Sequence, residues 1–357
     1  MGQSPVSSYL TVVAFALAVF GNFWNLSLGN QTIKYLQMPG VAPEQKDTYL
    51  CVGFKMPDET KYVVGFLPNA TAHTAHHILV YGCSIPGYHQ RDTPRAIWDC
   101  GEMTGGQSKY RRAPVCADGS QILYAWALDA PPLKLPKGVG FKVGGNSGVN
   151  FLILQVHYAD VSSFVNGNRD HSGISLEMVD GSSGVVKRRA GIYLLGTGGM
   201  LPAKRETHLE TACKIDEDVT MFPFAFRTHT HKLGLAVSGW KVARDPSSKR
   251  NQWTLIGKRN PQLPQMFYPL NEPLKIKKGD VLAARCTMFN FRDHTTFIGI
   301  TNNDEMCNFY IMYYVDGDRI LDEKYCFSAG YPSYDWVSDP RIITVPNWVD
   351  KSASKLD

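Results

Sequence analysis

The chain has 357 residues, 44% of them hydrophobic and 19% charged. That apolar content supports packed cores and excludes an intrinsically disordered chain, and at about 150 residues per domain the length suggests two domains. Lys+Arg 37 against Asp+Glu 32 leaves a net charge of +5. The densest basic runs, Lys187-Arg188-Arg189, Arg111-Arg112 and Lys277-Lys278, are too short and scattered for a nucleic-acid-binding stripe.

Residues 9–20 are almost wholly apolar. The run is too short to cross a bilayer core of about 30 Å as a helix. It reads as a secretory signal peptide spanning 1–29, with Gly21 or Gly29 as the small residue at the cleavage site. A buried helix at the start of the domain is the competing reading. Asn30-Gln31-Thr32 and Asn69-Ala70-Thr71 are glycosylation sequons, in keeping with secretion. No second long apolar run follows, so a soluble mature protein is expected, secreted or held in a secretory-granule lumen. In that oxidising setting the eight cysteines are expected to form about four disulfides, whose pairing spacing alone leaves open.

Helical periodicity is scarce. Short runs rich in Val, Ile, Phe and Tyr, bounded by Gly, Pro, Asn and Asp, predict strands at 62–66, 77–81, 150–158, 191–195, 221–232, 233–242, 280–289 and 306–315. Such spacing predicts antiparallel sandwiches rather than a parallel α/β sheet, and no glycine-rich phosphate loop or dinucleotide fingerprint is present. The small, polar, basic stretch 180–189 reads as a linker between an N-terminal domain, 30–182, and a C-terminal domain, 183–335. The stretch 336–357 reads as a tail that wraps or frays.

The chemistry lies in the histidines and one methionine. Five of the ten histidines fall in three settings: Thr74-Ala75-His76-His77-Ile78-Leu79, the apolar run 151–158 with Gln155-Val156-His157-Tyr158, and Arg227-Thr228-His229-Thr230-His231. Residues i and i+2 of a strand share a face. His229 and His231 therefore project together with Arg227 and offer a two-nitrogen chelate, although paired surface histidines are usually bland. His76 and His77 are adjacent, so both reach one ion only if a bulge or bend re-aims one of them. His157 is the candidate third ligand, since it ends an apolar strand where a polar side chain needs a partner; a satisfied core histidine is the alternative. Gln155 shares its face and would project to the same side as His157. Further along, alternation puts Met306, Asn308 and Tyr310 on one face and Cys307, Phe309 and Ile311 on the other. A thioether among imidazoles selects copper, because it is a soft ligand that favours Cu(I). Ordinary core filling is the competing fate of Met306.

These residues, with the stretches Ile122-Leu123-Tyr124-Ala125-Trp126-Ala127, Leu135-Pro136-Lys137-Gly138-Val139-Gly140-Phe141, Gln252-Trp253-Thr254-Leu255-Ile256-Gly257 and Asn260-Pro261-Gln262-Leu263-Pro264-Gln265, resemble the copper type II, ascorbate-dependent monooxygenases. Within that family the likeness is to the peptidylglycine alpha-hydroxylating branch, over residues 38–326. The resemblance implies an all-β chain of two antiparallel, jelly-roll-like β-sandwich domains with an active-site cleft between them. It implies one copper per domain, the two facing each other across a solvent-filled cleft. His76, His77 and His157 would hold the electron-transferring copper, and His229, His231 and Met306 the oxygen-binding, catalytic copper. Ascorbate would be the reductant and O2 the co-substrate, and the product an alpha-hydroxyglycine, the first step of peptide C-terminal amidation in neuropeptide processing. Arg227, Asn308 and Tyr310 match the family's anchor for the substrate carboxylate, and a guanidinium with amide and phenol donors suits such an anion.

The resemblance also implies disulfides Cys51–Cys100, Cys83–Cys116, Cys213–Cys326 and Cys286–Cys307. A fifth bridge common in the family lacks both partners: His171 stands at one position and no cysteine precedes Cys51. The chain ends soon after Cys326, so a monofunctional hydroxylase is expected, with glycine-extended peptides as substrates, a separate lyase to finish amidation, and no membrane span after signal removal. Two alternatives stand beside this reading. One is a catecholamine-type, dopamine beta-monooxygenase-like hydroxylase with the same copper ligands. The other is a non-catalytic secreted copper-binding β-sandwich, which needs neither Met306 nor the carboxylate anchor. His73, His89, His171, His208 and His294 carry no assigned role.

Overall fold

The computed structural model describes residues 31–88, 96–101, 109–245, 247, 250–301, 303–342 and 344–356. The signal segment, Asn30 and His89 lie outside them, whereas Asn69 is exposed at the end of its strand. The described chain is almost entirely β. Each predicted strand is found, most extended by one to three residues at an end. The largest shortfalls are both at the site: the strand Phe222–His229 ends before His231, and Asn308–Val315 begins after Met306.

The first half packs a five-stranded antiparallel sheet against a second layer. Its order is Ile97–Asp99, Thr48–Lys55, Phe151–Tyr158, His77–Cys83, Gln121–Ala127. The facing layer holds Thr32–Gln37, Gly173–Asp180, Lys61–Asn69 and Val139–Val143. Leu50, Ile78, Val80, Leu152 and Leu154 from one layer meet Val63, Phe141 and Leu176 from the other in one core. Phe66 stacks on Tyr124 with ring centroids 4.4 Å apart. Inner-face aromatic and branched side chains of this kind make a sandwich stable.

The second half repeats the plan. Arg188–Thr197, Asn308–Val315 and Phe222–His229 form one layer, and Arg205–Lys214, Val281–Asn290, Gly234–Arg244 and Asn251–Arg259 the other. Tyr193, Leu195, Phe226, Phe309 and Ile311 fill the space between with Leu209, Val237, Leu282 and Met288. The halves are joined through one sheet: Val139 and Gly140 pair in parallel with Arg188 and Arg189. Of the stretch read as a linker, only 181–187 lies between strands, because Asp180 and Arg188 already belong to the sheet.

The described residues after 336 wrap against the second half. Trp336, Ile342, Val349 and Ala353 are buried with Trp240 and Trp253 on the outer face of the four-stranded sheet, and Asn347–Ser354 is an α-helix. Beneath it Arg285 pairs with the buried Glu210 and with Asp350. The four disulfides are Cys51–Cys100, Cys83–Cys116, Cys213–Cys326 and Cys286–Cys307.

Candidate metal centre

His77 opens its strand and pairs across the sheet with His157. His76 sits at a bend just before that strand, and its N–H donates to the His157 carbonyl at 2.9 Å. The bend turns His76 to the same side as its neighbour. The Nδ1 atoms of His76 and His157 each lie 3.4 Å from Nδ1 of His77, and one ligand atom from each ring falls within 4.8 Å of the others. Such separations match nitrogens bound to one ion at about 2 Å each. The Nε2 of His157 faces Asp47 Oδ1 at 3.1 Å, which places the proton on Nε2 and leaves the Nδ1 lone pair bare. Tyr49 stacks on the same ring, centroids 4.0 Å apart. Burial holds His76 down to about 4 and His77 well below the usual histidine value. It also lowers His157, against the opposing pull of Asp47. All three are therefore neutral at pH 7, the form that binds a metal.

The second set is built by loop ends. Arg227 and His229 share a strand face, and His231 follows past the strand end, its ring centroid 5.5 Å from that of His229. His231 Nδ1 donates to the Asp304 carbonyl at 3.0 Å. Its Nε2 is buried without a hydrogen-bond partner. An orphaned, bare ring nitrogen in a dry place is what a metal ligand looks like without its ion. His229 is fixed in the same sense by Gln265. The Gln265 amide N–H groups donate to the Thr230 and Pro261 carbonyls, so its Oε1 accepts from His229 Nδ1 and from Arg227 Nη2. That leaves His229 Nε2 free to bind. Burial, with Arg227 adding to it, holds His229 well below its usual value. Met306 lies half-buried with its Sδ 3.9 Å from Asn308 Nδ2, and Cys307 turns away into its disulfide with Cys286. The donors present, two bare imidazole nitrogens and a thioether, fit copper.

Met306, Asn308, Tyr310, Arg227 and His229 line one cavity of about 610 Å³, and His77 and Gln155 face it from the other half. Arg227 is buried and lies over the Tyr310 ring, 5.1 Å from its centroid. Burial raises the Tyr310 phenol, with Arg227 and Asn308 drawing it back. Gly196 floors the clamp. A Cβ there would come within 2.9 Å of Asn308 Oδ1, so no larger residue fits without moving the amide.

The two histidine sets approach more closely than a solvent-filled gap allows. His76 and His231 have ring centroids 6.1 Å apart, as do His77 and His229. The open volume lies to one side of the rings. Contacts between the halves hold this arrangement: Tyr49 Oη donates to the Ile300 carbonyl at 2.7 Å, and Lys142 pairs with Asp318 at 2.6 Å.

Asp47, Tyr49, Gln265 and Glu305 went unassigned from the sequence. Gln265 closes one of the stretches carrying the resemblance, and Glu305 stands beside Met306, so proximity to the motifs was the only available signal. His208 contacts Ser354 and Glu206 away from the site; neither it nor His73, His171 or His294 appears among the cavity-lining residues.

Residues 35–164 match the N-terminal domain of the copper type II ascorbate-dependent monooxygenases, and residues 188–339 match their C-terminal domain. The chain belongs to this family. It is 41% identical over 316 residues to peptidyl-glycine alpha-amidating monooxygenase A of Xenopus laevis, covering 87% of this chain and 31% of that one. It is 41% identical over 295 residues to peptidylglycine alpha-amidating monooxygenase of Rattus norvegicus, covering 82% and 28%. Dopamine beta-hydroxylase of Canis lupus familiaris is more distant, 27% identical over 319 residues, covering 83% and 48%. The chain spans about a third of the length of the amidating relatives.

Proposed function

We propose that this chain hydroxylates the alpha carbon of the C-terminal glycine of peptides, using O2 and ascorbate with two bound coppers. Arg227 carries the reading. A guanidinium only 2% exposed, with no carboxylate paired to it among the described residues, is a costly arrangement. Its Nε and Nη2 are held by Gln265, and donors remain for an anion that enters the cavity. The terminal carboxylate of a peptide is that anion, with Asn308 and Tyr310 completing the clamp.

His76, His77 and His157 would hold one copper, and His229, His231 and Met306 the other. Copper, when bound, supplies one-electron redox chemistry and dioxygen activation. The chain's own residues supply position. Arg227 and His229 share one strand, Asn308 and Tyr310 the strand paired with it. A carboxylate held there keeps the glycine alpha carbon beside His229 and Met306, and rigid strands hold such an alignment better than loops. Overall, one C–H bond becomes C–OH, one atom of O2 enters the product and the other leaves as water, with two electrons from ascorbate and two protons. The hydroxyglycine then needs a lyase activity to release the amide.

Four disulfides point to an oxidising compartment, and we place the protein in the secretory pathway. Among the described residues no helix is long and apolar enough to cross a membrane. An amine substrate is disfavoured at this site, because its ammonium would meet a second buried cation. The test is incubation with a glycine-extended peptide or with tyramine, each with copper, ascorbate and oxygen. Peptidyl-hydroxyglycine is expected from the first only; turnover of tyramine alone would replace this reading with an amine hydroxylase.

A further inference from the structure

We infer that Glu305 is a positioning residue that sets His231 against Met306, an inference resting on the copper reading above. Its carboxylate is completely buried. It is met by three backbone N–H groups rather than by a cationic side chain among the described residues. One oxygen, Oε2, accepts from the N–H of His231 at 2.8 Å and from the N–H of Met306 at 3.2 Å. The other, Oε1, accepts from Leu233 at 2.7 Å. A single oxygen thus joins the main chains of two ligand residues that come from distant segments.

The fold makes this join necessary. His231 lies beyond the end of the strand Phe222–His229, and Met306 lies before the start of Asn308–Val315. The sheet ladder pairs His229 with Asn308 and stops there. Past that point Glu305 takes over the role of the ladder. The residue before it adds a second hold, since the Asp304 carbonyl accepts from His231 Nδ1 and so leaves Nε2 as the ligand atom. His231 is gripped at ring and main chain by one dipeptide.

A carboxylate is the side chain this task needs. Burying one without a counter-charge costs more than burying an amide of the same shape, so space filling gives no reason for it. Only a carboxylate accepts on both oxygens while offering no donor. A glutamine would turn its NH2 group toward at least one of the three N–H groups.

Glu210 is the internal control. It is also a buried carboxylate, but it pairs with Arg285 and the Trp336 N–H under the C-terminal helix, away from the ligands. The experiment measures copper per chain against a competing Cu(I) chelator, together with copper–sulfur scattering in X-ray absorption. It compares the intact chain, Glu305→Gln, Glu305→Asp and Glu210→Gln. In Glu305→Gln one copper is expected to weaken about 10- to 100-fold and the sulfur signal to fade, with the other copper unchanged. Glu305→Asp keeps the charge but shortens the reach, and is expected to show the same loss in smaller degree. Glu210→Gln is expected to lower the melting temperature with both coppers and the sulfur signal retained. The inference is overturned if both Glu305 variants keep wild-type copper affinity and sulfur scattering. It is equally overturned if Glu210→Gln loses the same copper in the same proportion, since lost stability would then be the cause. Should Glu305→Gln not fold, Glu305→Asp decides on the same criteria. An unaltered chain that binds fewer than two coppers defeats the copper reading itself, before any variant is compared.

Discussion

The two histidine sets solve one problem in opposite ways. The first is built inside a sheet: His77 and His157 are cross-strand partners, His157 is fully buried, and Asp47 and Tyr49 fix its ring. The second, proposed from His229, His231 and Met306, lies where strands run out; Gln265 and Glu305 hold it, and His229 and Met306 line a cavity. On the proposed reading, a site that only exchanges electrons can be all-nitrogen and made rigid by the sheet itself. A site that takes a substrate must face open space, and its rigidity then has to come from dedicated side chains.

The largest effect should come from breaking the second set alone. Met306→Ala is expected to abolish turnover while one copper per chain remains bound at the histidine triad; copper counting and product analysis check both halves. Arg227→Lys keeps the charge but loses the fork. Hydrogen bonds to charged groups contribute about 1.5–3 kcal/mol, so kcat/KM for a glycine-extended peptide should fall by about 10- to 100-fold, with copper content unchanged.

Much of this contrast was legible in the residues. Alternation placed Arg227 with His229 and Asn308 with Tyr310, because strands force a period of two; His231 and Met306 lie past the strand ends, where that period no longer applies. The paired His76-His77 required a bend, and the structure has one. The pattern was silent on Asp47, Gln265 and Glu305, because they act through hydrogen bonds to ring nitrogens and backbone groups distant in sequence, which no local periodicity encodes. The tail after 336 was legible only as composition. Its order comes from Trp240, Trp253 and Arg285 on another part of the chain.

Smaller effects sharpen the comparison. Replacing Cys286 and Cys307 together with serine should cost about 2–4 kcal/mol, read as a shifted urea midpoint, and should loosen the Met306 side more than the triad. pH tests the buried histidines of both sets. An unfolded histidine takes up a proton near pH 6.5, whereas burial holds His76 down to about 4 and lowers His77, His157 and His229. The unfolded state therefore binds more protons as pH falls. The stability conferred by neutral, buried histidines is complete above pH 6.5 and declines below it. Thermal melts of the metal-free protein should accordingly shift down between pH 7 and pH 5. Smallest of all, Tyr49→Phe removes the hydrogen bond to the Ile300 carbonyl but keeps the stack on His157. A loss of about 1 kcal/mol, with both coppers retained, is expected in chemical denaturation.

The most direct measurement offers the protein two versions of one peptide, ending in glycine with a free carboxylate or with that carboxyl group amidated, under copper, ascorbate and oxygen. Hydroxyglycine formed from the free acid, with the amidated peptide essentially inert, is the outcome expected if Arg227 awaits a carboxylate. Equal turnover of both peptides, or none of the free acid, would contradict it.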